Sequence, residues 1–328
     1  MRTPPLTRRA ALGLLGAGLA MPSLARAQEA WPRKPIRLIV AFAPGGATDV
    51  QARLIAERLS AQLGQGVVVE NRAGAAGIIG TEAVAHAPPD GYTLLQGTIS
   101  THAMNVPLYG SKLSYDPGKD FTPIIRTTTG YNLLVVHPGL EVRDVPGLIA
   151  YAKRNPGKLA YGSGGNGTST HLAAEMFKTM AGVDLLHVPF RSTAPAATAL
   201  TSGEIQLMFD TSVSSLPLAR EGRVRALAVT SLRRTPAMPD LPTVAETVPG
   251  FEMGTWNGLY APPGTPRPIV DRIEAATRAV MQEPELLARL ATLGSEPFLA
   301  GPAEFAEFQQ AEIRRWTKVV QDARITMD

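Results

Sequence analysis

No cysteine occurs anywhere in the 328 residues. That absence excludes a disulfide framework, a thiol nucleophile, a zinc–thiolate site and a lipid anchor on an N-terminal cysteine. Metal-ligand spacing is missing too. The five histidines (His86, His102, His137, His171, His187) form no pair on one helix face, and no paired-carboxylate motif stands out, so no metal site is expected. Net charge is also lacking once the N-terminus is set aside. Arg2, Arg8, Arg9 and Arg26 lie in the first 27 residues with no acid, which leaves as many bases as the 28 acids. The basic pI therefore gives no reason to expect a nucleic-acid or membrane-surface partner.

What is present begins with an export signal. Basic residues precede the apolar stretch AALGLLGAGLAMPSLA, and Ala25-Arg26-Ala27 fits a small-x-small cleavage site. Residues 1–27 read as a signal peptide, with Arg8-Arg9 leaving Sec and twin-arginine routes both open. No later stretch is long and apolar enough to span a bilayer. The expectation is a soluble periplasmic protein, and the length of the remainder suits two domains rather than one core.

Short β-branched runs alternate with amphipathic segments through most of the chain. IRLIVAF (36–42), VVVEN (67–71), YTLLQGT (92–98), NLLVVHP (132–138), KLAYGS (158–163), LLHVPF (185–190), IQLMFD (205–210) and RALAVTS (225–231) read as strands. Helical segments lie between them. Near-continuous apolar strands separated by helices indicate mainly parallel sheets covered on both faces, an α/β fold. From Ile269 to Arg324 the pattern is mostly helical, broken near Pro284 and Gly301-Pro302.

Two strand–glycine-loop–helix units lie about 120 residues apart, IRLIVAFAPGGATDVQARLIAERL and GKLAYGSGGNGTSTHLAAEMFKTM. The second contains Gly162-x-Gly164-x-x-Gly167, the spacing of a dinucleotide turn. That reading requires an acid at the end of the next strand for the ribose, where the chain has Arg191 instead, with Asp184 at the wrong end. No cofactor is expected. Gly167-Thr-Ser169-Thr-His171 nearly matches a nucleophile elbow, but His replaces the last small residue. A serine hydrolase using Ser169 is the enzyme alternative; Ser169 reads more simply as a helix-start hydroxyl. Helix N-termini attract anions through their exposed N–H groups and dipole. The loop Phe42-Ala-Pro44-Gly45-Gly46-Ala47-Thr48-Asp49 offers such donors, with Asp49 either at the ligand or stabilising its own helix. Arg72 is the basic residue nearest a glycine turn, with a salt bridge as its simpler role.

The ordered motifs FAPGGATD, VVVENRAGAAGIIG, PPDGYTLLQGT, YGSGGNGTSTHLAAEMF, HVPFRSTAPA, RVRALAVTS and GFEMGTWNGLYAPPGTP together resemble the tripartite tricarboxylate transporter solute receptors, also called Bug-type receptors. The resemblance covers nearly all of the chain beyond residue 27. It implies a non-enzymatic periplasmic binding protein of type II-like architecture, in which two α/β domains joined by crossover strands close on a small carboxylate. A monomer that delivers its ligand to a membrane permease is implied. The expected domains are residues 28–128 with 252–328, and 129–251. The implied carboxylate site comprises Phe42, Gly45, Gly46, Ala47, Thr48 and Asp49, then Gly74, Ala75 and Ala76. Ser163, Gly164, Gly165, Asn166, Gly167, Thr168 and Ser169 would meet the ligand's far end, with Asp210 near the cleft. Two departures bear on ligand identity: Phe190-Arg191-Ser192 replaces the family's common Tyr-Lys-Gly, and Ala76 replaces a frequent glycine.

Overall fold

The computed structural model describes residues 31–322 and 325; the expected leader at 1–27 lies outside the described residues. In the first sheet, β1 (Ile36–Val40) runs parallel between β2 (Val67–Asn71) and β3 (Thr93–Thr98). Four of the five residues of β1 are buried, so both faces need cover. One cover is α1 (Ala47–Leu63), whose Ala52, Ile55, Ala56, Leu59 and Leu63 recur at helical spacing and are all buried. Gly64, at φ 68°, ends it. The second helix, α2 (Ile78–Ala85), links β2 to β3, and α3 (Asn105–Tyr109) follows.

The 15-residue strand β4 (Thr122–Val136) carries the chain into a second sheet. There α4 (Val145–Arg154), β5 (Ala160–Ser163), α5 (Ser169–Ala181), β6 (Leu186–Pro189), α6 (Thr193–Ser202), β7 (Leu207–Thr211), α7 (Ser212–Arg220) and β8 (Arg225–Val229) follow in order. The chain returns through β9 (Gly254–Ala261) and ends in α8 (Arg267–Val280), α9 (Pro284–Thr292), β10 (Ser295–Ala300) and α10 (Pro302–Asp322). Through residue 131, β4 pairs with β9 and β10; from Asn132 it pairs with β7 and β8. It changes sheet between Tyr131 and Asn132.

Among the described residues, parallel ladders join β1 with β2 and β3, and β5 with β6 and β7, and β8 adds a single parallel bridge from Val229 to Thr243. Around β4 and β9 all pairs are antiparallel. A strand that brings the chain back from one sheet to the other must run against those that led it out. The C-terminal segment is mostly helical with breaks at Pro284 and Gly301-Pro302, as expected, and the one addition is β10, which pairs antiparallel with β4 and extends the first sheet.

The two crossing segments are stapled by Thr230, which is fully buried. Its Oγ1 accepts from the Asn132 amide (2.8 Å) and donates to Met253 O (2.6 Å), while the Met253 amide donates to Thr230 O (2.9 Å). One side chain thus joins the outgoing strand to the returning one.

Candidate functional site

A cavity of about 60 Å³ lies between the two sheets. Its floor is the crossing itself, with Gly130, Thr255, Trp256 and Asn257 on the wall. More than half of the lining residues are Ser or Thr, and none carries a formal charge.

Four helices begin on this wall. Ala47 and Thr48 open α1; Thr168, Ser169 and Thr170 open α5; Ser192 and Thr193 open α6; Thr211, Ser212 and Val213 open α7. The first-turn amides of a helix have no acceptor within it, and their dipoles add to a partial positive charge of about half a unit. A helix normally relieves this with an N-cap side chain. At these four helices Gly46, Thr168, Ser192 and Thr211 make no such cap bond. The Ser192 hydroxyl has no hydrogen-bond partner among the described residues, although Ser192 is only 2% exposed, and the Thr211 hydroxyl lies on the same wall. Because they line the cavity, such hydroxyls are open to water or to a bound ligand. The wall is an array of donors for an anion.

Some of those donors meet across the cleft. The Ala47 amide donates to Thr193 Oγ1 (3.2 Å), and the Ser169 amide donates to Ser100 Oγ (3.1 Å). Gly46 abuts the start of α6, where a Cβ would lie 3.2 Å from Ser192 Cβ. Its φ of −74° suits any residue, so it is space and not backbone that this glycine supplies.

A second, wider cavity of about 410 Å³ adjoins the first, and the two share Phe42 and Gly164. Gly74, Ala75 and Ala76 line it with Gly165, Asn166, Tyr109, Phe190 and Arg191. Gly74, Ala75, Ala76 and Gly77 all have positive φ (148°, 45°, 55° and 85°). For the two alanines this is strained backbone, of order 1–3 kcal/mol each. Ala76 therefore stands where glycine would sit without strain.

The expected residues divide by place. Phe42, Gly46, Ala47, Thr48, Gly164, Thr168 and Ser169 line the inner cavity; Phe42, Gly74, Ala75, Ala76, Gly164, Gly165 and Asn166 line the outer one. Gly45, Asp49, Ser163, Gly167 and Asp210 lie on neither wall, and each has another task. Asp49 is turned into the protein and accepts from the Gly45 amide (2.9 Å), Arg53 Nε (2.9 Å) and Asn71 Nδ2 (2.9 Å). Burial pushes its carboxyl up, but the bonds from Arg53, the Gly45 amide and Asn71 outweigh this and hold it below the usual range. Asn71 also donates to Phe42 O (3.0 Å), so this network braces the Phe42–Gly46 loop from behind.

The glycine loop of the second sheet is likewise satisfied internally. Gly164 N donates to Thr170 Oγ1 (2.8 Å), Gly165 N to Ser163 Oγ (3.1 Å) and Gly167 N to His171 Nδ1 (3.2 Å). The carboxylate cradle expected of Ser163 to Gly167 is therefore not built from these amides, which hold the loop in shape. The donors on the wall are one step further on, at the start of α5. Ser163 Oγ is also 2.6 Å from His187 Nε2, and Ser163 is fully buried. Burial pushes His187 and His171 down to about 4.

Ser169 has no histidine partner among the described residues, and His171 Nδ1 is taken by the Gly167 amide. The hydrolase alternative falls on this geometry. Asp210 is fully buried beneath the wall, accepting from the Thr211 amide (2.8 Å) and from Ser215 Oγ. Burial pushes its carboxyl up to about 6. Ser192, Thr193, Thr211 and Ser212 escaped the sequence reading, though Ser-Thr before an alanine-rich run is a helix-start signal.

The family model for the tripartite tricarboxylate transporter family receptor matches residues 51–325. A Pseudomonas sp. strain P51 protein, named for the tcbD–tcbE intergenic region, is 41% identical over 317 residues, covering 95% of this chain and 94% of the relative. The solved R. palustris protein Rpa4515 with adipate is 41% identical, with TM-score 0.88 over 90% of this chain and 99% of that one. The periplasmic binding protein BugD is 35% identical, with TM-score 0.87 over 90% and 99%. Family and fold are those of solute receptors, which are not enzymes. With helix starts in place of catalytic groups around its cavity, this chain belongs to the tripartite tricarboxylate transporter receptor family, the Bug-type periplasmic solute-binding proteins.

Proposed function

We propose that the protein captures a small organic carboxylate in the periplasm and presents it to a tripartite transporter permease. The single observation that carries this reading is the convergence of α1, α5, α6 and α7 on one cavity with no ionised side chain on its wall. Amides and hydroxyls held by the fold can replace the water around a carboxylate without a counter-ion. Adipate in a 41% identical protein of the same fold supports the ligand class. Binding would use Phe42, Gly46, Ala47, Thr48, Ser169, Ser192, Thr193 and Thr211. Gly74, Ala75 and Ala76 would act at the outer end.

In this reading residues 28–128 with 252–328 move as one body and 129–251 as the other, hinged where β4 and the return segment cross. Small-angle scattering with and without ligand would show compaction if they do. Calorimetric titration with adipate, malate and benzoate tests the ligand class, beside mass spectrometry of whatever denatured, freshly purified protein releases. Release and binding of neutral sugars or cations, with no carboxylate bound, would overturn the proposal.

A further inference from the structure

Among residues lining the two cavities, Arg191 is the only one with a formal charge. It sits on the outer wall, exposed, and makes no ion pair among the described residues. The same wall holds three aromatic rings, from Phe42, Tyr109 and Phe190. Phe42 also faces the inner cavity, so a molecule seated at the helix starts would pass its ring on the way out.

We infer that Arg191 is the specificity residue for the ligand's second end: with one carboxylate among the helix starts, a second anionic group carried on an apolar body would meet its guanidinium. The inference rests on the carboxylate reading above and adds the ligand's second end. The chemistry separates by depth. Inside, neutral donors receive a carboxylate without a counter-ion. Between the two ends, ring faces and edges accept methylenes or an aromatic ring. At the mouth, a guanidinium offers the paired N–H donors that suit a carboxylate. A monoanion of the same body would occupy the inner part of this path and leave Arg191 in water. A second carboxylate away from Arg191 would gain nothing for the cost of partial dehydration.

The test compares matched acids by calorimetric titration: adipate against hexanoate, and terephthalate against benzoate. Wild-type protein should favour at least one dianion over its monoanion. Arg191→Gln should weaken the favoured dianion by about 5- to 20-fold, between an exposed ion pair and a buried charged hydrogen bond. The monoanions should change less than twofold, and Arg191→Lys should recover part of the loss. Arg191 is exposed, so its variants should melt with the wild type. Equal losses for mono- and dianions, or none, would overturn the assignment of Arg191 while leaving the inner site intact. Ser192→Ala makes the distinction plain, because it should weaken both classes alike. Failure of every acid to bind wild-type protein would overturn the carboxylate reading and this inference with it.

Discussion

The amide of Ala47 donates to the hydroxyl of Thr193 across the cleft, at 3.2 Å, so the first turns of α1 and α6 are in direct contact. Beside this pair Gly46 faces Ser192. The two halves of the molecule meet at groups suited to hold an anion, so contact between halves falls on the surface proposed for the ligand.

Gly46→Ala tests that sharing. The new methyl group meets Ser192 Cβ at 3.2 Å across the cleft, with no backbone strain. Overpacking of about 1–3 kcal/mol should fall on approach of the halves, lowering carboxylate affinity roughly 5- to 150-fold. The melting temperature without ligand should fall far less than such a penalty within a core would require. A large drop in stability with unchanged affinity would show that Gly46 serves folding only.

Ser192→Ala removes a hydroxyl that has no partner in the protein. Stability should hold, because no protein hydrogen bond is lost. Affinity should drop by about 1.5–3 kcal/mol if that hydroxyl meets a charged ligand. Thermal melts and titrations on one preparation separate the two effects, and a loss of stability with no loss of affinity would refute the role.

The pH profile of stability should carry the signature of Asp210. Its folded pKa is raised to about 6, above the unfolded value. The folded state therefore binds the proton more tightly, and the associated stability is full at low pH and lost as pH rises through about 6. Asp49 has the opposite sign. Its depressed carboxyl stabilises the fold above the ordinary Asp range, and that contribution is lost on acidification below it. His171 and His187, pushed down to about 4, contribute stability that is lost as pH falls over the same interval, so Asp210 offsets part of a rise with pH. Asp210→Asn should therefore steepen the rise between pH 4 and pH 6. Denaturant midpoints across pH would read the slope; an unchanged slope in the variant would assign the offset to another group.

Thr230→Val keeps the shape of the side chain but loses the bridge between the crossing segments. The Asn132 amide would be left buried and unpaired, at about 1–3 kcal/mol. Chemical denaturation should show that loss without a change in slope, and faster hydrogen exchange at the Asn132 amide. Wild-type stability in the variant would mean that water or backbone replaces the hydroxyl.

Much of the fold was legible because buried parallel strands write themselves as apolar runs. VVVEN was read at its observed bounds, and IRLIV lies within its expected run. The missed elements break that rule for local reasons. GTWNGLYA looks like a turn, yet it is β9. Gly258 is needed there because a Cβ would run into the Phe305 ring and lie 2.8 Å from Ile125 O. SVSSLPLAR carries three serines and Pro217, and it still forms α7. Pro297 hid the strand β10. Around the cavities, the glycine spacing marked a loop that borders both but not the direction of its amides. Those depend on Thr170, His171 and Ser163 folding back, contacts that no spacing rule encodes. The α6 and α7 starts reach the cavity only through sheet order, which joins segments about 150 residues apart in the chain.

The floor of the inner cavity is made of the crossing strands, whereas the outer cavity borrows nothing from them. For rotation about that crossing, each wall moves in proportion to its distance from the axis, as on a lever. A few degrees that scarcely disturb contacts at Gly130 and Thr255 carry Arg191 and the Gly74–Gly77 turn much further. Unloading would then proceed in order, with the distal end of the cargo exposed first while the end at the helix starts stays held. In the proposed delivery, a permease would meet a molecule presented end-on, in one orientation.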